Sequence, residues 1–473
     1  MSSRQLKLST NYHIDNADIN CNTGAAIYVK NADKTTITLN AGSDNSLSDS
    51  SAYEYDDTEN EEPDAVIFSK DDMSINGDGS LTITAVFNNG ITCKDDLKIV
   101  GGTIEVTAAG DGIKGRDSLT VAGGNITVNA QGKGLLSNND EDETKGYIHI
   151  TGGALTLDCT DDTIHSNNAV YYEGGTSTLT TGDDGIHADN ILNISGGSID
   201  IVSSYEGLEA AAICIDGGEI SIVSSDDGIN AADGSSENGF GAFGGGPGGA
   251  SEDTGCSLTV NGGTIYINAE GDGIDSNGSI TMTGGTAVID GPTGSGNGSL
   301  DYGSYFTMNG GYLAAAGPAG MAQNISDSSA QCGAMISVSN AEAGSSVTVA
   351  DSDGNVIISF TPSKNYSIIN FSTPDIKTGT TYYIYRDGTL TDASEIGKDC
   401  YTGGTITGGT ELLSYEQSSS VLSSGGFGGG GFGEGFGGYG GGRRGGENFG
   451  GNTDSDIDNS NENIAPPGSA DAL

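Results

Sequence analysis

A Gly-Gly pair returns again and again along the middle of the chain, each time just before a short strand-like segment. The pairs begin at the following glycines, with spacings of 22, 29, 22, 22, 21, 45, 22 and 26 residues: Gly101, Gly123, Gly152, Gly174, Gly196, Gly217, Gly262, Gly284 and Gly310. The longer spacings contain insertions, among them NNDEDETKG at 138–146 and a Gly-rich segment at 235–255. A unit of this length cannot bury its own apolar side chains, so successive units must stack on one another.

Each unit contains three segments in which Ile, Val, Leu and Thr alternate with polar residues. The unit at 101–121 reads GGTIEVTAAGDGIKGRDSLTV, and the one at 261–282 reads NGGTIYINAEGDGIDSNGSITM. This alternation is typical of β-strands, and the intervening Gly, Asp and Asn are typical of turns. Three strands per turn, stacked at about 4.8 Å, predict an all-β, right-handed parallel β-helix. A β-propeller would need about twice the period, with four strands in each blade.

The period also predicts how the chain is divided. The β-helix is expected over residues 1–331. From 332 to 416 the repeat is lost, and alternating segments around Asp353-Gly354 and Asp387-Gly388 predict a small antiparallel β-sheet module. Residues 417–473 are mostly Gly, Ser, Asn and Asp, so we expect a disordered tail.

The charge of the chain limits its partners. It has 65 acidic and 17 basic residues, a formal net charge of −48, which repels nucleic acid and anionic lipid and requires counter-cations. No apolar run approaches the ~18 residues of a membrane-spanning helix, and no export signal follows Met1. The seven cysteines are far apart and form no CxxC pair, so we interpret them as small buried residues.

Because a solenoid stacks equivalent positions, the residue that precedes the Gly of each GDGI step, a Gly replaced by Thr163 in one rung, should form a column. Its members are Asn89, Asp111, Lys133, Asp162, Asp184, Glu206, Asp227 and Asp272. Carboxylates about 5 Å apart repel each other unless they are protonated, solvated or bridged by cations. Oxygen-rich clusters suit Ca²⁺, so we predict calcium ligands among Asp111, Asp162, Asp184, Glu206 and Asp227. The alternative is a solvated acidic ridge of turn-forming aspartates.

A second predicted column lies four residues after the Ile or Leu of the same step. It contains Asp95, Asp117 and Asn139, and an acidic loop follows it directly. A loop of this kind above two stacked aspartates is our preferred calcium site, with Asp140 and Asp142 as further ligands.

Basic residues are scarce and cluster on neighbouring rungs near this loop. Lys94, Lys114, Arg116 and Lys133 could hold the carboxylate of an acidic sugar, or they could simply pair with their acidic neighbours. Calcium beside a base is also the combination that a β-elimination lyase uses. Two histidines, His165 and His187, follow the Ile of successive steps, and they form either a catalytic or metal-binding pair or an outward polar column.

Three segments, at 67–85, 88–121 and 137–153, resemble the bacterial carbohydrate-binding β-helix family, and the similarity extends over about residues 25–330. The resemblance implies a polysaccharide-lyase-like fold, binding of cellulose or acidic plant sugars, bound calcium and a cell-surface location. The chain departs from the family pattern at Lys133, which replaces the usual Asp, and at Leu136, which replaces a polar residue.

The predicted function is therefore that of a monomeric, non-catalytic, extracellular polysaccharide-binding protein stabilised by Ca²⁺. A calcium-dependent polysaccharide lyase and a structural adhesin with a repeat stalk are the alternatives. The chain has no Trp, although it has 19 Tyr, so flat aromatic platforms for crystalline neutral glycans are scarce. An acidic glycan such as polygalacturonate, bridged by Ca²⁺, fits this composition better than cellulose.

Overall fold

The computed structural model describes residues 9–55, 62–233 and 255–424, and their regular structure consists of β-strands. The first strands belong to irregular rungs. In chain order they are β1 (Thr10–Ile14), β2 (Asp18–Asn20), β3 (Ile27–Val29), β4 (Thr35–Leu39), β5 (Asp44–Ser48), β6 (Ala65–Ser69), β7 (Met73–Gly77), β8 (Ser80–Ala85), β9 (Asn89–Cys93) and β10 (Asp96–Ile99). Among the described residues, no helix is long and apolar enough to span a bilayer.

The regular rungs follow and supply the next set of strands. These are β11 (Thr103–Ala108), β12 (Ile113–Gly115), β13 (Ser118–Val121), β14 (Asn125–Ala130), β15 (Leu135–Ser137), β16 (Tyr147–Ile150), β17 (Ala154–Cys159), β18 (Ile164–Ser166), β19 (Ala169–Tyr172), β20 (Thr176–Thr181), β21 (Ile186–Ile194), β22 (Ser198–Ser204), β23 (Leu208–Ile215), β24 (Glu219–Ser224), β25 (Ile229–Ala231), β26 (Ser257–Val260), β27 (Thr264–Ala269), β28 (Ile274–Ser276), β29 (Ser279–Met282), β30 (Thr286–Asp290), β31 (Tyr305–Met308) and β32 (Tyr312–Gly317).

A final group of strands pairs mainly antiparallel. Its members are β33 (Gly333–Ala341), β34 (Val347–Ala350), β35 (Val356–Phe360), β36 (Tyr366–Ser372), β37 (Thr381–Arg386), β38 (Thr389–Thr391), β39 (Ser394–Gly397), β40 (Cys400–Thr402), β41 (Thr405–Thr407), β42 (Thr410–Glu416) and β43 (Val421–Ser424).

Each regular rung contributes one stretch of strand to each of three faces. In one rung, β17 lies on face 1, the three-residue β18 on face 2 and β19 on face 3. Strands of successive rungs pair in parallel, so that Ile164 lies beside Leu135 on one side and Ile186 on the other. This architecture is the predicted parallel β-helix. Because the register is preserved from rung to rung, equivalent residues do stack into columns.

Each of the two positions of the Gly-Gly pair requires glycine for a different physical reason. A Cβ on Gly174 would lie 3.0 Å from the carbonyl oxygen of Thr151 in the rung below, so the first glycine allows close approach of the backbone. Gly175 has a φ of 94°, a conformation that side chains with a Cβ rarely adopt. The pair therefore forms the corner between faces 3 and 1.

The interior is a continuous stack of Ile, Val and Leu side chains from the three faces. One rung departs from this pattern. Tyr172 is fully buried there, and Ser177 occupies a position that is Leu155 in the rung below and Ile199 in the rung above. The small serine leaves room for the ring, and the two hydroxyl oxygens lie 2.7 Å apart. The small volume of Ser177 thus offsets the large volume of Tyr172 in the core.

The final group of strands continues the sheet of face 1. Strand β32 pairs antiparallel with β36, β36 with β33, and β33 in parallel with β43. A second sheet, in the order β39-β40-β35-β34-β37-β42, packs its apolar side chains against this extension.

Two sequence interpretations need correction here. Residues 417–424 were expected in a disordered tail, but Gln417 is fully buried, its side-chain amide donates to the Gly333 carbonyl at 3.0 Å, and β43 completes the edge of β33. Residues 425–473, and the Gly-rich insertion as far as residue 254, lie outside the described residues. Of the cysteines expected to be buried, Cys21, Cys214 and Cys332 are only half-buried.

We predict that Gly175→Ala lowers the free energy of unfolding by about 1–3 kcal/mol, because alanine is strained at this positive φ. Its Cβ would also lie 2.7 Å from the carbonyl oxygen of Gly153. Urea unfolding followed by circular dichroism measures the loss. Gly24→Ala is the control, since a Cβ there meets nothing within 4 Å. Equal losses in the two variants would contradict the role assigned to the corner.

Candidate functional site

The first predicted column, which we name the turn column, is a ladder of hydrogen bonds between side chains and backbone. The backbone N–H of Asp111 donates to Asn89 Oδ1 at 2.8 Å, and that of Lys133 donates to Asp111 Oδ1 at 3.0 Å. The same bond joins Asp184 to Asp162 at 3.0 Å, Glu206 to Asp184 at 3.2 Å, and Asp272 to Asp227 at 2.6 Å. In each of these pairs, one side-chain oxygen therefore accepts a hydrogen bond that holds the backbone of the next turn.

The ladder changes where the column residue is long. After Lys133, the backbone N–H of Asp162 donates to Asp161 Oδ1 at 2.9 Å instead of to the previous rung. A short Asp or Asn is thus favoured at this position for a structural reason, and only the second carboxylate oxygen remains for a lysine, a histidine or a cation. This preference supports the interpretation of the column as turn-forming aspartates, and it is also compatible with cation binding through the remaining oxygen.

A parallel column of side chains lies on face 2, three residues further along each rung; we name it the face column. From one end to the other it consists of Thr92, Lys114, Leu136, His165, His187, Glu209, Asn230, Asp275 and Asp301. The two histidines were predicted from the sequence, but Glu209, Asp275 and Asp301 were not predicted as members of the same column. The available signal was that each directly follows the buried Ile or Leu of its rung.

Basic groups neutralise the turn column at its centre. Lys133 Nζ lies 2.7 Å from Asp161 Oδ1 and 2.6 Å from Asp162 Oδ2, and His165 Nδ1 lies 2.7 Å from the same Asp162 oxygen. Burial acts to raise the pKa of Asp162, but the bonds from His165 and Lys133 outweigh it and hold that pKa well below its usual value. Burial acts to lower the pKa of Lys133, but the neighbouring Asp162 and Asp161 outweigh burial and raise that pKa. This lysine is therefore a fixed counter-ion.

Further along, the columns carry carboxylates without such partners. Burial, helped by neighbouring carboxylates, raises the pKa of Glu206 to about 9, of Asp227 to about 6, of Asp272 to about 7 and of Asp275 to about 8, and burial also raises that of Asp301. None of the ion pairs found among the described residues includes these five side chains, which we name the acidic cluster.

Beside the acidic cluster, the side-chain amide of Asn230 has a hydrogen-bond partner for its nitrogen but none for its oxygen. Asn230 donates through Nδ2 to Glu206 Oε2 at 2.8 Å, while its buried Oδ1 has no hydrogen-bond partner. An unpartnered amide oxygen among carboxylates is an arrangement of hard oxygen donors, which is the donor set that Ca²⁺ prefers. The residues present therefore fit a bound calcium ion.

The loop at 138–146 has a different arrangement from the one that the sequence suggested. Asp117 Oδ1 accepts from Asn139 Nδ2 at 2.6 Å, and Asp117 Oδ2 lies 2.5 Å from Lys145 Nζ. The Asn139 side-chain oxygen caps the backbone N–H groups of Glu141 and Asp142 at 3.0 and 3.1 Å. Both carboxylate oxygens of Asp117 thus already have partners.

The other predicted ligands of that loop are more exposed. Asp142 turns back to the N–H and hydroxyl of Thr144, whose hydrogen bonds lower its pKa, and Asp140 is exposed. Asp95 is half-buried, and burial, followed by the nearby Asp117 and Asp72, raises its pKa. A calcium ion at this loop stays a prediction, and it would have to compete with Lys145.

The basic residues predicted to hold a sugar mostly pair with the protein itself. Lys94 Nζ lies 2.8 Å from Glu62, Arg116 lies 3.1 Å from Glu141, and Lys133 is committed to the turn column. Lys114 stacks between Thr92 and Leu136 on face 2. Charge pairing with acidic neighbours, the alternative interpretation, therefore applies to three of these four basic residues.

Face 3 carries a group of aromatic side chains directly after the acidic loop. The rings of Tyr147 and Tyr171 have centroids 6.5 Å apart, and His149 lies 6.1 Å from Tyr171. Tyr171 is 37% exposed, and Ile191, which lies beside Ala169 in the next rung, is 42% exposed. The adjacent Tyr172, in contrast, is a core residue. We name Tyr147, His149 and Tyr171 the aromatic patch.

We predict that Lys133→Met lowers the free energy of unfolding at pH 7 by about 3 kcal/mol, because a buried carboxylate loses its cation. The depressed pKa of Asp162 gives stability that is present above its unfolded pKa of about 4 and is lost as the pH falls. The difference between variant and parent should therefore shrink below about pH 4. Lys70→Met, at the more exposed pair with Glu62, should cost about 1 kcal/mol or less. Equal costs at pH 7 would refute this assignment.

Comparison with known proteins adds an independent line of evidence. The model of a family described as carbohydrate-binding domain-containing protein matches residues 6–238. A carbohydrate-binding domain-containing protein of Acetivibrio thermocellus is 46% identical over 95 residues, which is 20% of this chain and 33% of that relative. The chain thus spans about a third of the length of this curated relative.

A solved structure, the polysaccharide lyase-like protein from C. thermocellum in its gadolinium derivative, is 39% identical, with a TM-score of 0.39. The similarity covers 40% of this chain and 76% of that one. The segments 67–85, 88–121 and 137–153, which carried the resemblance in the sequence, all lie within the range of the family match. Through residues 6–238, this chain belongs to the family of carbohydrate-binding domain-containing proteins.

Proposed function

We propose that this chain is a non-catalytic protein that binds acidic, plant-type polysaccharide outside the cell and is stabilised by Ca²⁺. The observation that carries the proposal is the family match over residues 6–238, a range that includes the aromatic patch and much of the two columns. The strongly acidic surface adds a reason for divalent cations, since these neutralise closely stacked carboxylates with the fewest ions.

The acidic cluster is the proposed calcium site. Its carboxylates are half-buried in successive rungs, and repulsion between them favours either protons or a shared divalent cation. The free Oδ1 of Asn230 supplies a neutral oxygen beside them. A bound Ca²⁺ would supply fixed positive charge between rungs, and Asp227, Asp272, Asp275 and Asp301 would hold it.

The aromatic patch is the proposed surface for the glycan. Tyrosine rings present a flat apolar face and a polar edge, which suits the mixed apolar and hydroxylated surface of a sugar. Tyr147 and Tyr171 belong to adjacent rungs of face 3, so a glycan chain can cross both. Lys145, which directly precedes this strand region, places positive charge near it despite its pairing with Asp117.

Binding without cleavage is favoured by the charge state of Lys133, the basic residue of the turn column. A lyase needs a neutral base that can remove a proton, and the pKa of Lys133 is raised by Asp162 and Asp161 although burial opposes this. Held in its charged form, Lys133 cannot act as that base. A lyase mechanism through this lysine is therefore disfavoured.

We predict that calcium removes most of the pH dependence of stability that the acidic cluster causes. The raised pKa values of the acidic cluster mean that the folded chain binds more protons than the unfolded chain between about pH 4 and pH 8. In EDTA the melting temperature should therefore fall as the pH rises through this window. Ca²⁺ should remove most of that fall, because it replaces the protons.

Two asparagine variants test the location of this effect. Asp275→Asn should reduce both the fall in EDTA and the gain from Ca²⁺, whereas Asp200→Asn, at an exposed position on face 1, should leave both unchanged. Thermal melts at pH 5, 6, 7 and 8 give the readout. A calcium gain that is the same in both variants would place the ion elsewhere.

We predict that Tyr171→Ala weakens retention on polygalacturonate by about fivefold, because an exposed ring contributes about 1 kcal/mol at a binding surface. Affinity electrophoresis in gels containing the polysaccharide measures retention, with and without EDTA. Tyr205→Ala is the matched control, since Tyr205 is 47% exposed but lies apart from the aromatic patch.

The same incubations also test the alternatives. Absorbance of unsaturated sugar products in the ultraviolet would indicate a lyase and contradict the non-catalytic assignment. Absence of retention on acidic and neutral glycans alike, in a chain that Ca²⁺ still stabilises, would favour a structural adhesin. Retention that Tyr171→Ala and Tyr205→Ala reduce equally would remove the aromatic patch as the binding surface.

A further inference from the structure

One histidine in the face column lies between two carboxylates of different rungs. His187 Nδ1 is 3.2 Å from Asp184 Oδ2 in its own rung and 3.1 Å from Glu209 Oε2 in the next. One ligand atom from each of the three side chains lies within 4.8 Å of the others. The register places Glu209 directly beside His187, so this grouping follows from the pairing of β21 with β23.

Hydrogen bonding alone describes this grouping poorly. A single imidazole N–H cannot point at two carboxylates, and both separations exceed the 2.7–2.9 Å that is usual for a charge-assisted bond. The neighbouring His165 provides the comparison, since its Nδ1 lies 2.7 Å from the Asp162 carboxylate. The two carboxyl groups also lie close together, since one oxygen of each is within 4.8 Å of the other.

The separations do fit the edges of a metal coordination tetrahedron. Ligands at the 2.0–2.1 Å that zinc prefers for nitrogen and carboxylate oxygen lie about 3.3 Å apart in a tetrahedron. The distances of 3.2 and 3.1 Å from His187 Nδ1 to the two oxygens are close to this value.

We propose that Asp184, His187 and Glu209 form a three-ligand site for a divalent transition-metal ion such as Zn²⁺, with water in the fourth position. The nitrogen donor distinguishes this site from the acidic cluster, because Ca²⁺ prefers six to eight oxygens. The ion would connect two successive rungs at the centre of the columns.

Surrounding groups support the three ligands from outside. Asp184 Oδ1 accepts the backbone N–H of Glu206 at 3.2 Å, which orients Oδ2 toward His187. On the far side of the imidazole, Asp189 Oδ1 lies 3.5 Å from Nε2. Carboxylates in this outer position fix the ring and increase the basicity of the ligating nitrogen.

Metal analysis after equilibrium dialysis tests the site in the full chain. The dialysis contains Zn²⁺ with excess Ca²⁺ and physiological salt, so that oxygen-only sites and loosely held ions do not contribute. We expect a single retained Zn²⁺ in the parent chain. His187→Gln should abolish it, and the shape-conserving Glu209→Gln should weaken it by more than about tenfold.

His149→Gln is the matched control, because His149 is another half-buried histidine that lies beside a carboxylate, that of Glu173 at 3.2 Å. It should retain Zn²⁺ as the parent does. Substitution by Co²⁺ provides a second readout, since four-coordinate cobalt absorbs strongly in the visible, and this absorption should be absent from His187→Gln. Circular dichroism confirms that each variant is folded.

Two results would overturn the proposal. The first is an absence of retained Zn²⁺ in the parent chain, which would identify His187 as an imidazolium between two carboxylates. The second is equal retention in the parent and in folded His187→Gln. Neither result depends on glycan binding or on calcium, so the outcome is separate from that of the proposed function.

Discussion

Parallel, in-register stacking of rungs about 4.8 Å apart is the constraint on which the rest of this structure depends. It buries the apolar residue of every segment against its equivalents above and below. It also converts each polar position of the repeat into a column whose members cannot separate. A carboxylate that recurs in the sequence must therefore lie close to another carboxylate, whatever the electrostatic cost.

The two columns meet this cost differently along their length. At the centre, Lys133 supplies positive charge to Asp161 and Asp162, and His165 Nδ1 lies 2.7 Å from the same Asp162 carboxylate. The pKa of Asp162 is depressed there although the side chain is buried. In the acidic cluster the same backbone positions carry carboxylates whose pKa values are raised. Basic side chains thus neutralise carboxylates in one part of the columns, and this difference is why the acidic cluster is the part proposed to hold Ca²⁺.

Sequence reasoning predicted the fold and the existence of the turn column because both follow from spacing alone. It did not predict which side chains pair within and beside that column. That Lys133 is a counter-ion for Asp161 and Asp162 depends on the direction of its side chain, which a repeat period does not specify. Asp301 was missed because its rung reads GNGSLDYG and lacks the GDGI step. The order of residues 417–424 was missed because composition suggested a tail, whereas the exposed edge of β33 supplies hydrogen bonds that composition cannot reveal.

The same stacking relates the proposed glycan surface to the acidic cluster. Tyr171 and Asp275 belong to rungs four steps apart, which corresponds to about 19 Å along the stack. The strands between them form a continuous hydrogen-bonded ladder, so this separation is fixed before any ligand arrives. A rigid surface of this kind loses little conformational entropy on binding, and an extended polysaccharide can meet several weak contacts at once. Neutralising the acidic cluster would then matter for binding in two ways: it would keep the rungs in register, and it would lower the repulsion that an anionic glycan meets beyond the aromatic patch.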